Sequence, residues 1–156
     1  LKILIISDSH SHLENIVTMY DIEKPNAVIF AGDYTKDALE LSFIYDDCDF
    51  YIVRGNCDFY DHSFKDLLEF EIFNYKFYLS HGHLHGVKNN YSLLEKEVEK
   101  SMANIAIFGH THLAYYKERN SIHYFNPGAA KDGNYGVIHI ENENIKFHHK
   151  KLPNLY

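Results

Sequence analysis

Cysteine is scarce in this sequence: Cys48 and Cys57 are the only two. They allow one bridge at most, too little for a disulfide framework, and a chain of 156 residues does not need one to build a core. A reducing, cytoplasmic setting is therefore the expectation. Three prolines and eight glycines are too few for a repetitive or disordered polymer. Long apolar runs are missing too. No stretch approaches the roughly 18 residues of a membrane-spanning helix. The apolar part of LKILIISDSH is too short for a signal peptide, and no cleavage pattern follows it. No membrane association is expected. An excess of positive charge is also lacking, since the formal net charge is -7 with neutral histidines. That argues against a stable nucleic-acid partner, which draws on a basic surface. A small phosphate-bearing substrate is still compatible, because bound divalent cations reverse the local field.

What is present is an alternation of short apolar runs and amphipathic segments, in one expected domain over residues 1–156. Ile3 to Ile6 reads as a strand buried on both faces. Ser11 and Glu14 have the spacing of a capping box for a first helix, with Leu13, Ile16, Val17 and Tyr20 as its inward stripe. Ala27 to Ala31 and Phe50 to Val53 read as further strands around a helix over Lys36 to Tyr45. That order predicts an α/β sheet with crossover helices. Phe70 to Phe73 and Lys76 to Ser80 suggest a hairpin, Asn90 to Ser101 a helix, and Asn104 to Phe108 another buried strand. The last third reads as antiparallel strands over Ala114 to Arg119, Ser121 to Phe125, Tyr135 to Ile140 and Ile145 to His149, with a turn at Asn142 to Asn144. The expected product is two facing β-sheets flanked by helices.

The chemistry stands out by position. Five apolar strands each run into a residue of metal-ligand type: Asp8 and His10, then Asp33, Asn56, His81, and finally His110 and His112. Ligands of open α/β sheets gather beyond the carboxyl ends of strands, where residues distant in sequence converge. Asp8-x-His10 and His110-x-His112 place two donors on one short loop each, and Gly32, Gly55, Gly82 and Gly109 adjoin the donors. Imidazole, carboxylate and amide oxygen together suit Mn, Fe, Zn or a similar ion. A single Asp-x-His pair more often decorates a surface or caps a turn. Five strand ends carrying such donors leave that bland reading without an account of the repetition.

At these residues the sequence resembles the calcineurin-like metallophosphoesterases. The matching pieces are DSH at Asp8 to His10, GD at Gly32-Asp33, GN at Gly55-Asn56, HGH at His81 to His83 and GHTH at Gly109 to His112. The short length and Asn126-Pro127-Gly128 resemble the small bacterial and archaeal phosphodiesterase branch, which is itself similar to the retromer scaffold subunit. The resemblance implies a four-layer α-β-β-α sandwich of two mixed sheets. It implies one metal ion on Asp8, His10, Asp33 and His112, and a second on Asp33, Asn56, His81 and His110. Mn is the expected ion, with Fe, Zn or Ni as alternatives. The implied reaction is in-line attack of a metal-bridging hydroxide on a phosphate ester, with a diester favoured over a monoester. Asp8, Asp33, Asn56, His81 and His83 would surround the reacting phosphate. A nuclease, or a non-catalytic metal-binding scaffold for a protein partner, is the competing function, and a homodimer is the expected assembly if the chain associates.

Departures and secondary candidates complete the reading. Cys57 stands where many larger members of the family carry His, which leaves the general acid unassigned. Arg54 reads first as half of an ion pair and only second as a phosphate ligand. Asp58 has two readings, orienting a ligand histidine or capping a loop. His83 either lines the phosphate pocket or hydrogen-bonds behind a ligand. Asn126 either orients a ligand loop or closes an Asx turn. His85 is a less persuasive candidate for the phosphate pocket, His12 belongs to the first helical turn, His62, His123 and His139 join no motif, and His148-His149 reads as a solvated edge.

Overall fold

The computed structural model describes residues 1–154; Leu155 and Tyr156, the last two of the expected domain, lie outside the described residues. The elements run β1 (Lys2–Ile6), α1 (Leu13–Glu23), β2 (Ala27–Phe30), α2 (Thr35–Ile44), β3 (Asp49–Ile52), β4 (Leu67–Ile72), β5 (Tyr75–Ser80), α3 (Ser92–Ser101), β6 (Ile105–Ile107), β7 (Ala114–Arg119), β8 (Ile122–Pro127), β9 (Asn134–Glu141) and β10 (Asn144–Lys151). They form two five-stranded sheets, ordered β10-β9-β1-β2-β3 and β4-β5-β6-β8-β7. Both are mixed: β1, β2 and β3 run parallel with β9 antiparallel to β1, and β5, β6 and β8 run parallel between antiparallel β4 and β7. The antiparallel reading of the last third holds for the β7–β8 and β9–β10 hairpins. Strand β8 departs from it by pairing with β6 in parallel, because β6 lies between it and β5.

Alternation along β1 explains the layers. Ile3 and Ile5 point between the sheets with Ala27, Ile29, Phe77, Leu79, Ile105, Ile107 and Phe125. Leu4 and Ile6 point the other way, against Ile16, Met19 and Tyr20 of α1 and Ala38 and Leu41 of α2. On the far side, Leu94 and Val98 of α3 cover Tyr78, Ala106 and Tyr124. A strand apolar on both faces is what a sandwich of helix, sheet, sheet and helix requires. Among the described residues no helix is long and apolar enough to cross a membrane.

Two local expectations change. Helix α1 starts at Leu13 with His12 at its N-cap and no side-chain cap, so the Ser11–Glu14 capping box does not form. Ser11 instead takes a left-handed φ of 67° and donates its N–H to Asp37 Oδ2 at 3.0 Å, drawn toward α2 by the loop carrying Asp8 and His10. His149 is exposed on the edge strand as expected, and it also makes contacts of its own. Its ring stacks on Phe125 with centroids 4.5 Å apart, and its Nε2 meets the Asn126 carbonyl at 2.8 Å, linking β10 to β8.

A buried acid closes the amino-terminal end of β1. Glu23 accepts hydrogen bonds from Lys150 Nζ (2.7 Å), Tyr135 Oη (2.9 Å) and Lys2 Nζ (3.3 Å). Burial pushes its pKa up, but the bonds from Lys150 and Tyr135 outweigh burial and hold it below the ordinary carboxylate value. The cluster ties α1 to β1, β9 and β10.

Candidate metal centre

Because β1, β2 and β3 are parallel to one another, as are β5 and β6, their carboxyl ends fall on a common edge of each sheet. The loops leaving these ends are pinned by backbone bonds: Asp8 N–H to the Gly32 carbonyl (2.9 Å) and Gly109 N–H to the His81 carbonyl (2.9 Å). Two glycines allow the loops to close. A Cβ on Gly109 would lie 1.9 Å from Ser7 Oγ and 2.7 Å from Asp8 Oδ2, and one on Gly55 would lie 2.1 Å from Asp33 Oδ1. Neither position has room for a side chain.

The carboxylates sit at the centre of the result. Asp8 is fully buried. Its Oδ2 accepts from Ser7 Oγ (2.6 Å) and the His110 N–H (3.1 Å), while Oδ1 has no hydrogen-bond partner among the described residues. That oxygen faces His112 Nε2 at 3.1 Å, His10 Nε2 at 3.7 Å and His81 Nε2 at 3.8 Å. Asp33 Oδ1 accepts the Cys57 N–H at 3.0 Å, and Asp33 Oδ2 lies 3.3 Å from His81 Nε2 and 3.5 Å from His10 Nε2. His10 Nε2 is likewise buried without a hydrogen-bond partner. His110 Nδ1 meets His81 Nε2 at 3.2 Å, and the Ala31 carbonyl fixes His81 Nδ1 at 2.7 Å. Of the predicted ligands, six converge: Asp8, His10, Asp33, His81, His110 and His112. Asn56 borders them but is exposed, with its amide nitrogen 3.7 Å from Cys57 Sγ.

The converging residues share an uncommon backbone conformation. Asp8, His10, Asp33, His110 and His112 all have positive φ, between 44° and 68°. Such residues concentrate at functional sites because surrounding contacts must hold them there. The electrostatics are equally uneven. Burial raises the Asp33 pKa, but its bond to His81 and the charge of His81 dominate and hold it well below the ordinary carboxylate value. Burial opposes protonation of His81, yet Asp33 and the charge on Asp8 raise its pKa overall. His110 is pushed down to about 4, by burial first and then by neighbouring His81.

The donor chemistry fits divalent ions. Two acid-and-imidazole groups emerge, each with its ligand atoms within 4.8 Å of one another: Asp8 with His10 and His112, and Asp8 with Asp33 and His81. Unpartnered Asp8 Oδ1 and His10 Nε2 are the atoms a cation would satisfy.

The secondary candidates also find their places. Arg54 is an ion-pair residue, with Nε 2.7 Å and one terminal nitrogen 3.2 Å from the Asp66 carboxylate. Asp58 is a loop cap and does not orient a histidine: its oxygens accept N–H bonds from Asp33, Tyr34, Thr35 and Gly55 at 2.8–3.0 Å, capping α2. Asn126 fills both of its roles. Its amide donates to the Gly109 carbonyl and Thr111 Oγ1, both at 3.0 Å, steadying the His110–His112 loop, while its oxygen accepts the Gly128 N–H at 2.9 Å. His85 hydrogen-bonds Tyr78 Oη and Ser80 Oγ behind the site. Sequence reading passed over Asp37, which accepts from Ser9 Oγ at 2.6 Å and holds the Asp8–Ser11 loop to α2. It left Cys57 without a role, yet the thiol groups with His10 and Asp33 within 4.8 Å. Burial and then Asp33 push the Cys57 pKa up to about 11.

The calcineurin-like phosphoesterase superfamily domain matches residues 1–143. The chain belongs to that superfamily. Among its calcineurin-like relatives, a probable metallophosphoesterase of Bacillus subtilis is 31% identical, over 92% of this chain and 86% of its own. A phosphodiesterase of Methanocaldococcus jannaschii is 28% identical over 82% of this chain and 83% of its own. Solved structures share the superfamily fold. A predicted phosphoesterase from Streptococcus pneumoniae superposes with a TM-score of 0.78 at 24% identity, covering 96% of this chain and 88% of that one. The vacuolar protein sorting 29 protein of Cryptosporidium parvum gives 0.74 at 18% identity, with 97% of both chains covered.

Proposed function

We propose that this protein, read as one domain over residues 1–156, hydrolyses phosphodiesters with two divalent ions held side by side. Asp8, His10, Asp33 and His112 would hold one ion, and Asp33, Asn56, His81 and His110 the other. The observation that carries this reading is the placement of Asp33 Oδ2, 3.3 Å from a histidine of one set and 3.5 Å from a histidine of the other. An oxygen between two sets of imidazoles is suited to bridging a metal pair. Bound ions would supply Lewis-acid stabilisation of phosphoryl oxygens and a water nucleophile active near neutral pH.

The chain's own residues supply position and proton control. Ser7 and the His110 N–H hold Asp8 Oδ2, so that Oδ1 is left for coordination. The Ala31 carbonyl fixes His81 by Nδ1 and turns Nε2 inward. His83 borders the phosphate position, its ring centroid 5.5 Å from that of His81 and 6.1 Å from that of His110. A diester is favoured over a monoester on two grounds: relatives named phosphodiesterases, and Arg54, whose charge is committed to Asp66 and not free for the second charge of a monoester. Mn is the expected ion, and the reducing cytoplasm the expected setting, in keeping with the free thiols of Cys48 and Cys57.

The test is hydrolysis of a chromogenic aryl phosphodiester by metal-stripped protein, with and without Mn. Turnover restored by Mn and absent in Asp33→Asn supports the reading. Full Mn occupancy without turnover on diesters would replace it with a phosphomonoesterase if aryl monoesters are cleaved, and with a metal-holding binding protein if they are not.

A further inference from the structure

Beside the second ligand set lies a recess of about 320 Å³, whose lining includes Asn56 and His83 from the metal centre. Arg54, Asp66, Phe59 and Leu84 complete the part of the wall that matters here. Such a volume is at the lower end for a small-molecule site. Its apolar walls are costly to leave bare: Phe59 is 75% exposed and Leu84 59% exposed. Single exposed apolar side chains are ordinary on protein surfaces. Two of them lining one recess are different, particularly when each follows a ligand loop by three residues, Phe59 after Asn56 and Leu84 after His81.

The polar part of the wall limits what fits. Arg54 is neutralised by Asp66 at 2.7 Å, so the recess offers no free cation for a second phosphate or a carboxylate. A sugar would strand several hydroxyls against Phe59 and Leu84, at the cost of their lost hydration. The His83 ring belongs to the wall, but its Nδ1 is buried, while the exposed Asn56 amide and the Asp66 carboxylate stand at the polar side of the recess. The exposed Phe59 ring and Leu84 side chain favour an apolar group, and an aromatic ring can pack on the face of Phe59. Resting on the phosphoesterase reading above, we propose that the recess receives an aromatic ester group of the substrate, packed against Phe59 and Leu84. The enzyme thereby selects phosphodiesters that carry a planar aromatic substituent over those with alkyl or sugar substituents.

The experiment is calorimetric titration of Mn-loaded protein with the methyl monoesters of phenylphosphonate and of methylphosphonate, which carry the single negative charge of a diester, share the headgroup and differ in the ring. The phenyl-bearing ester is expected to bind about tenfold more tightly, from the ring surface removed from water. That preference should fall to about twofold in Phe59→Ala and in Leu84→Ala, and should persist in Phe73→Ala, whose equally exposed ring lies on the β4–β5 turn. Equal affinity for the two ligands in the wild type, or an undiminished preference in both recess variants, would overturn the aromatic subsite and leave the phosphoesterase reading standing. Failure of both phosphonates to bind Mn-loaded protein would overturn the phosphoesterase reading itself, and the subsite with it.

Discussion

At one end of β1, Glu23 is buried and met by Lys150, Tyr135 and Lys2, so that both of its carboxylate oxygens have a donor. At the other end, Asp8 and Asp33 are buried side by side, and Asp8 Oδ1 has no donor among the described residues. Both regions carry charge out of water. The first is closed in its own right, and the second is closed only around something else. Burial of an acid alone therefore says little about function. The informative quantity is what remains unpaired after burial, together with the positive φ shared by Asp8, His10, Asp33, His110 and His112, which converge there.

The largest effect that should separate the regions is on turnover. Asp33→Asn is expected to lower diester hydrolysis by about a thousandfold or more, because in the proposed centre one of its oxygens would serve both ligand sets. His10→Ala should lose less, retaining one ion by metal analysis. Full activity in Asp33→Asn would erase the distinction. The converse substitution acts on stability. Glu23→Ala removes the acceptor of Tyr135 and the partner of Lys150 and Lys2, whose ammonium groups are partly exposed and can rehydrate, and should cost about 1–2 kcal/mol in urea denaturation, with turnover per folded molecule preserved. A Glu23→Ala protein as stable as wild type would show that pairing at that end contributes nothing.

Metal removal sharpens the contrast further. Ligand binding to the native state at a hundredfold excess over Kd is worth about 2.7 kcal/mol. Chelation should therefore raise hydrogen exchange in the loops at Asp8–His12, Asp33 and His110–His112, while amides around Glu23 keep their protection. Uniform change across the chain would count against a local centre. Backbone strain predicts a smaller difference: in metal-free protein, His112→Gly should be more stable than His112→Ala by about 1 kcal/mol, because φ is 62° there. The smallest effect is in acid. Glu23 has a lowered folded pKa, so its stabilisation is fully present above the unfolded value near 4.3 and is lost as pH falls through the folded one. Denaturation of Glu23→Gln should accordingly depend less on pH below about 4 than that of wild type.

Much of the centre was legible in the sequence because strands announce their own ends. Ile3 to Ile6, Val28 to Phe30 and Ile105 to Ile107 are apolar without interruption, and each next polar residues had to emerge at the sheet edge. What stayed hidden depends on contacts between distant loops. Ser11 and Glu14 have capping-box spacing, but Asp37, arriving from α2, takes the Ser11 N–H. Asp58 could not be assigned between its two roles until the Asp33–Thr35 amides were seen to converge on it. The parallel pairing of β8 with β6 was invisible for the same reason, since it depends on which strands lie beside it in space. Asn56 fits the sequence pattern, while its exposed amide turns to Cys57.

The central claim is that the unsatisfied end of β1 is a bridged two-metal centre, and the direct measurement is electron paramagnetic resonance of the chain titrated with Mn. The account predicts uptake of two ions per chain and the exchange-coupled spectrum of a bridged pair, lost in Asp33→Asn. Uptake of one ion, or of two ions with uncoupled spectra, would contradict it.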